Sequence, residues 1–451
     1  MKIKKELSRR KFISNTTLGA IGTIGATGLL ASCARSDKKT NQVVKSPIMF
    51  DQAPDGKVLK AGLVGCGARG TGAALNFLDS GPNLQIVALG DVFPDKLAAC
   101  RETLKKEKNN EVPEENCFTG FDCYEKVINS GVDIVLLCTP THFRPVQVEA
   151  AVNAGKHIFM EKPAAVDPAG ARRVLIAAKK AEQMGLCIAT GTVRRVQKDY
   201  IETYRRVASG EIGEIVSAHI IRNGNSLAQV TRKPGWTDLE YMLKNWYNFC
   251  WLSGDHIVDQ FIHELDVMTW FLGKIPVKAI AWGGRQRRMT GDQYDFFSVE
   301  YLYDNGMQTH GATRQINGCS NLKRELIIGT KGYADCNGTL FDLKGNQIWK
   351  YPYPQEGDTD LSWKVQSPFV QEHVNLVVAI RSGKPINNAE ALVNSTLITI
   401  MARMSAYTGK DVTWEEVINS DMSLGPKNYV FGPVPNIPET IPVIGNEAKL
   451  S

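Results

Sequence analysis

The chain has 451 residues, 43% hydrophobic and 8% aromatic, enough apolar side chain to bury a large core in two or three domains and to exclude a disordered protein. Its formal net charge is +6, but five of those charges fall in the first 33 residues, where Lys2, Lys4, Lys5, Arg9, Arg10 and Lys11 face only Glu6. The rest is near neutral, which argues against a body built to grip a phosphate backbone, and no nucleic-acid partner is expected.

Residues 1–33 read as a targeting segment, separate from the fold. Ser8-Arg9-Arg10-Lys11-Phe12 resembles the twin-arginine export signal, and Leu30-Ala31-Ser32-Cys33 resembles a bacterial lipobox in which Cys33 is lipidated. The run between them, 16–32, is weakly apolar and too short for an ordinary transmembrane helix. These resemblances imply export of a folded chain, a lipid anchor to the membrane and a periplasmic or cell-surface position. Residues 34–56 are polar and irregular, a tether. Without Cys33, nine cysteines remain, an odd number with no Cys-x-x-Cys pair; folding in a reducing compartment before export leaves most of them as buried thiols, with a disulfide framework the lesser alternative. Seven scattered histidines offer no clustered ligands, and no metal is expected.

From Lys57 a short apolar strand runs into Gly65-Cys66-Gly67-Ala68-Arg69-Gly70, the GxGxxG pattern in its strand-to-helix setting. There the first glycine permits a tight turn, the second lets a pyrophosphate reach the backbone and the third lets the helix pack closely. A second strand over 84–90 ends at Asp91, whose carboxylate suits ribose hydroxyls and repels a 2′-phosphate. NAD is therefore expected, and Lys96, the only nearby cation, leaves NADP as the lesser alternative. Strands over 133–138, 157–160 and 186–190 alternate with helices over 146–154 and 169–182. The pattern is α/β, a Rossmann doubly wound parallel sheet over 57–188. Thr139-Pro140-Thr141-His142 and Glu161-Lys162-Pro163 fall at strand carboxyl ends, where such sheets bind ligands.

GxGxxG, a Thr-Pro-x-His loop and a strand closed by Glu-Lys-Pro together resemble the glucose-fructose oxidoreductase / inositol dehydrogenase (Gfo/Idh/MocA) family over about residues 57–420. The resemblance implies that Gly65, Gly67, Ala68, Arg69, Gly70, Asp91, Thr139, Pro140, His142, Glu161 and Lys162 hold the cofactor, with Lys162 at the site of hydride transfer. It also implies an Asp and a His four residues apart on a helix of the second domain, and Asp259 and His263 fit. Independently of the family, a lysine at that crevice can hydrogen-bond a hydroxyl and offset a developing alkoxide.

Residues 257–272 read as one helix, with Val258, Phe261, Ile262, Leu265, Met268 and Leu272 inward and Asp259, His263, Asp266 and Trp270 on the opposite stripe. Asp259 and His263 would lie one turn apart, a general base beside a carboxylate; a solvated polar stripe is the other reading. Asp255 and His256 are candidates for a cap and a substrate contact. The 245–251 stretch, Asn-Trp-Tyr-Asn-Phe-Cys-Trp, could stack on a sugar or belong to the core. Arg194 and Arg195 open the second domain, either near the site or as surface charge.

Strands over 215–222, 277–283, 298–303, 308–314 and 325–329, with a hairpin signal at Asp304-Asn305-Gly306, give a second, α+β domain over 189–420 with a mostly antiparallel open sheet. In the family such a sheet often faces a subunit partner, so a homo-oligomer is expected. A helix near 389–408 and a Pro-rich extended tail over 421–451 complete the chain.

Three functions compete. The first is an NAD-dependent oxidoreductase acting on a hydroxyl of a sugar or polyol, with a tightly bound, recycled cofactor. The second is a redox-neutral NAD-dependent glycoside hydrolase or lyase working through a keto-sugar, without the carboxylate pair of ordinary glycosidases. The third is a non-catalytic sugar-binding lipoprotein.

Overall fold

The computed structural model describes residues 49–434 and 444, apart from 228, 357 and 359–363. The leader with Cys33, most of the tether and the last prolines of the tail lie outside the described residues.

The first sheet is built from β1 (Leu59–Val64), β2 (Leu84–Asp91), β3 (Cys117–Thr119), β4 (Ile134–Leu137), β5 (His157–Met160) and β6 (Ile188–Thr190), in the order β3-β2-β1-β4-β5-β6. Every pair in it is parallel. Crossovers run through α1 (Ala68–Leu78), α2 (Pro94–Lys108), α3 (Cys123–Ile128), α4 (Arg144–Asn153) and α5 (Pro168–Gln183). Because all four residues of β4 are buried, helices must cover both faces, and the order reverses between β1 and β4, which opens a crevice at their carboxyl ends.

The second region opens with α6 (Lys198–Ala208) and β7 (Ile215–Gly224). A helical stretch follows: α7 (Asp238–Lys244), α8 (Cys250–Ser253), α9 (His256–Asp259) and α10 (Ile262–Leu272). Then come β8 (Lys278–Gly284), β9 (Phe296–Leu302), β10 (Gln308–Gln315), β11 (Leu322–Gly329), β12 (Gly332–Asp335), β13 (Thr339–Asp342) and β14 (Gln347–Lys350). Last are α11 (Pro368–Ser382), α12 (Ala389–Thr408), β15 (Val412–Thr413) and α13 (Trp414–Asn419). The nine-stranded sheet runs β14-β13-β12-β11-β7-β10-β9-β8-β15, antiparallel except for β7 and β10. Its strands alternate buried and half-buried residues, so one face packs on α10 and α12 and the other stays open. The 304–306 turn joins β9 to β10 as expected, with Gly306 at φ +81°.

Two features depart from the sequence reading. The segment 257–272 is not one helix: His256 O accepts from both Gln260 N (2.9 Å) and Phe261 N (3.1 Å), and this wider i+5 bond interrupts the helix between α9 and α10. Helix α11, inside the stretch assigned to the second domain, lies instead on the first sheet, where Leu376, Val377 and Ala379 pack with Phe77 and Phe159. The chain then pairs with β6, Ile188 N to Ile386 O at 2.8 Å, before α12 begins.

Candidate active site

The glycine loop shows three different constraints. Gly65 sits at φ +94°, and a Cβ there would lie 2.8 Å from the Cys138 backbone. A Cβ on Gly70 would lie 1.7 Å from Gly65 O, so α1 packs against the turn only because that side chain is absent. A Cβ on Gly67 would meet nothing within 4 Å, because that face opens on a cleft of 510 Å³. This is the arrangement a pyrophosphate needs: bare backbone at a helix N-terminus with room in front of it. Asp91 also lines the cleft; its carboxylate accepts from Cys66 N (2.6 Å) and Phe93 N (2.8 Å), while burial raises its pKa. Ala68, Arg69, Thr139, Pro140 and Lys96 complete this part of the wall.

A second cavity of 600 Å³ shares Arg69, Cys138, Thr139, Trp246 and Tyr247 with the cleft, so the two meet along these residues. Glu161, Lys162, Asp259 and His263 line it. Lys162, at the end of β5 and joined to Pro163 by a cis peptide, donates from Nζ to Asp259 O at 2.5 Å, with Asp259 Oδ1 at 3.5 Å. Burial lowers the Lys162 pKa, and Asp259 partly opposes the shift. Burial and the Lys162 charge hold His263 well below its ordinary value. Glu161 accepts from Arg69 Nε at 2.5 Å, and Gly191 leaves room for it, since a Cβ there would lie 2.6 Å from Glu161 Oε2. Asp259 and His263 reach one cavity despite the broken helix; the rest of the supposed polar stripe does not. Asp266 binds Arg195 (2.8 Å) and Ser395 (2.8 Å), and Trp270 stacks on Tyr204.

Of the proposed cofactor residues, Glu161 and Lys162 line the second cavity beside the cleft, and His142 lines neither. The Thr141–Phe143 turn points its ring away, where Nε2 lies 2.6 Å from the Tyr429 hydroxyl and burial lowers its pKa to about 4. Asp255 and His256 are also structural. Asp255 is fully buried at φ +74°, accepts from His256 N, Tyr294 N and the Tyr407 hydroxyl, and His256 packs on Phe297. Arg194 is paired with Glu264 (3.1 Å) and Glu325 (3.0 Å), so it lines the cavity as part of an ion network, not as surface charge. Of the 245–251 stretch, Trp246 and Tyr247, stacked at 3.8 Å, are the pair that reaches both cavities.

Three contributors escaped the sequence reading. Buried Arg144 donates to Thr139 O (2.7 Å) and to Pro163 O, tying the two strand-end loops together. Arg222 on β7 binds Glu264 (2.7 Å) and Gln260 (3.0 Å) beside His263. Phe369 on α11 lies 5.0 Å under Arg69. Only Arg144 had a local signal, its place one turn after the Thr-Pro-x-His loop.

The Gfo/Idh/MocA oxidoreductase family's NAD-binding Rossmann fold matches residues 59–189, and the family's C-terminal domain matches 200–335, together more than half of the chain. The chain belongs to this family. It is 28% identical to the myo-inositol 2-dehydrogenase of Thermotoga maritima over 80% of this chain and all of that protein. It is 27% identical to the NAD(+) scyllo-inositol 2-dehydrogenase of Bacillus subtilis, over 74% of this chain and 91% of that one. The fold is shared with the Lactobacillus casei scyllo-inositol dehydrogenase solved with NAD(H) and scyllo-inositol, at a TM-score of 0.59 and 21% identity over 79% and 99% of the two chains. The family's first domain binds NAD, and the glycine loop and Asp91 fit that cofactor.

Proposed function

We propose that the protein is an NAD-dependent dehydrogenase that oxidises a secondary hydroxyl of a polyol or sugar in the cavity holding Lys162, Asp259 and His263. The observation that carries this reading is the seam of shared residues, Arg69 to Tyr247, joining that cavity to the cofactor cleft. Bound NAD supplies the hydride acceptor. His263, held neutral by burial, takes the hydroxyl proton; Lys162 donates a hydrogen bond to the same oxygen and offsets its growing negative charge; Asp259 keeps that lysine oriented and charged. Trp246 and Tyr247 offer the apolar face of a ring a place to stack.

The inositol dehydrogenases among the relatives favour a free hydroxyl over a glycosidic bond, so the redox-neutral hydrolase is the weaker reading. An assembled Lys162, Asp259 and His263 speaks against a non-catalytic sugar binder. The twin arginines and Cys33 support an exported, lipid-anchored protein. Outside the cytoplasm no soluble NAD pool exchanges with the enzyme, so its cofactor would be carried in, held tightly and regenerated in place. The open sheet face, where Trp282 and Leu322 are exposed, supports association with a second copy.

The test is to incubate the purified protein with NAD and a panel of inositols, free sugars and aryl glycosides, following NADH and products. The expected result is NADH formed with a keto product, a rate that falls at least about 100-fold in Lys162→Met, and NADH binding that survives. Glycoside cleavage without NADH, or full turnover in Lys162→Met, overturns the reading.

A further inference from the structure

We infer that residues 424–434 form a clasp that slows the escape of the dinucleotide, acting through the aromatic wall of the cleft. This rests on the assignment of the cleft to NAD. One side of the cleft belongs to first-domain loops carrying Phe93, Phe121 and Phe143; the other belongs to the segment 230–247, carrying Trp236, Leu243 and Lys244. Both walls line the cleft.

The tail fastens both. It is pinned first at Leu424, whose N–H donates to Asp167 Oδ2 at 2.8 Å. Gly425 then passes between His142 and Trp251 at φ +97°, where a Cβ would lie 2.8 Å from each ring. Tyr429 stacks on Phe121 (5.7 Å between ring centres), meets Phe143 edge-on (5.2 Å) and reaches His142 through its hydroxyl. Phe431 contacts Phe121 (5.4 Å) and Phe93 (6.1 Å). One residue later the tail turns to the opposite wall, where Gly432 O accepts from Leu239 N at 3.3 Å, and Val434 joins the cluster of Leu239, Met242 and Leu243.

Tyr429 and Phe431 do not line the cleft themselves; they stand behind the rings that do. They are therefore positioning residues. With Lys244 Nζ 4.0 Å over the Phe93 ring, the tail makes a second tie between the walls. Opening the wall separates those ring contacts, a cost that a departing dinucleotide meets as a barrier to dissociation.

The experiment uses the full chain with Tyr429→Ala and Phe431→Ala together, and reads two quantities. The first is the NADH dissociation rate, by fluorescence after a chase with excess NAD; it is expected to rise about tenfold or more, from the lost ring contacts. The second is amide hydrogen exchange across 230–247, expected to speed up with or without nucleotide. Tyr429→Phe keeps the ring and is expected to retain slow release. Phe431→Ala alone, at a half-exposed position that tolerates truncation, is expected to fall between native and double variant and serves if the double variant does not fold. Unchanged dissociation in a folded variant overturns the clasp, whatever the exchange shows. If the native chain binds no NADH, the cofactor reading fails, and the exchange measurement alone decides whether the tail holds the wall.

Discussion

The cofactor cleft and the substrate cavity share a border but are made of different materials. Around the glycine loop the cleft is mostly backbone: three glycines with different steric duties, two strand ends and one carboxylate held by main-chain N–H groups. The cavity is mostly side chain, drawn from β5, α9, α10, β7 and α11 and held by buried ion pairs. The first is therefore specified by local pattern and sensitive to a single methyl group; the second depends on long-range packing and is sensitive to charge.

Two glycine substitutions test this contrast most severely. Gly70→Ala is expected to abolish measurable NADH binding, an affinity loss of at least about 100-fold, and to lower stability by about 1–3 kcal/mol, because the new Cβ overlaps Gly65 O. Gly67→Ala, with open space before it, is expected to weaken NADH binding while costing at most about 1 kcal/mol of stability. Fluorescence titration and thermal unfolding separate the two. Equal loss of stability in both would show that the second glycine serves packing and not the ligand.

The cavity should answer to pH instead. A base works when neutral, so a His263 pKa lowered by burial keeps kcat/KM for oxidation flat as pH falls through 6.5. Lys162 works when protonated, so its lowered pKa brings the alkaline fall below 10.5. Asp259→Asn removes the charge that raises the Lys162 pKa and should move that alkaline limb lower still. A profile governed by an ordinary histidine would break the assignment.

The smallest expected effect is at the border. Trp246→Ala removes a stacked ring from both cavities and should raise KM for the polyol by about 2- to 10-fold, roughly 0.5–1.5 kcal/mol, with kcat little changed. A fall in kcat of the same size would instead mean that the ring aligns the reacting atoms.

This division of materials explains what was legible in the sequence. Strand, glycine turn and terminal acid are adjacent in the chain, so the cleft and the parallel sheet could be read directly. So could Lys162, because a strand end has a fixed place. Asp259 and His263 are singled out by the family resemblance, since their spacing alone also fits a solvated stripe, and the helix that the spacing assumes is broken by the i+5 bond at Phe261. His142 was misplaced because sequence gives the loop and not the direction of its ring. Phe369 and Arg222 had no signal, since nothing in the sequence says that α11 folds back onto the first sheet or which face of β7 meets Gln260. Tyr429 and Phe431 lie in an irregular tail whose value is entirely in what it touches.

The central strand β7 has a consequence for how the chain reaches this state. Its two neighbours, β10 and β11, follow it by roughly ninety and a hundred residues, with Arg222 opposite Thr313 on one side and Lys323 on the other. Neither pairing is a hairpin, so β7 has no local partner while the polypeptide is still being made. The second domain must wait for most of its sequence before its middle can form. A nascent chain stopped short of β10 would carry a ten-residue strand with both edges bare, the kind of surface on which chains aggregate.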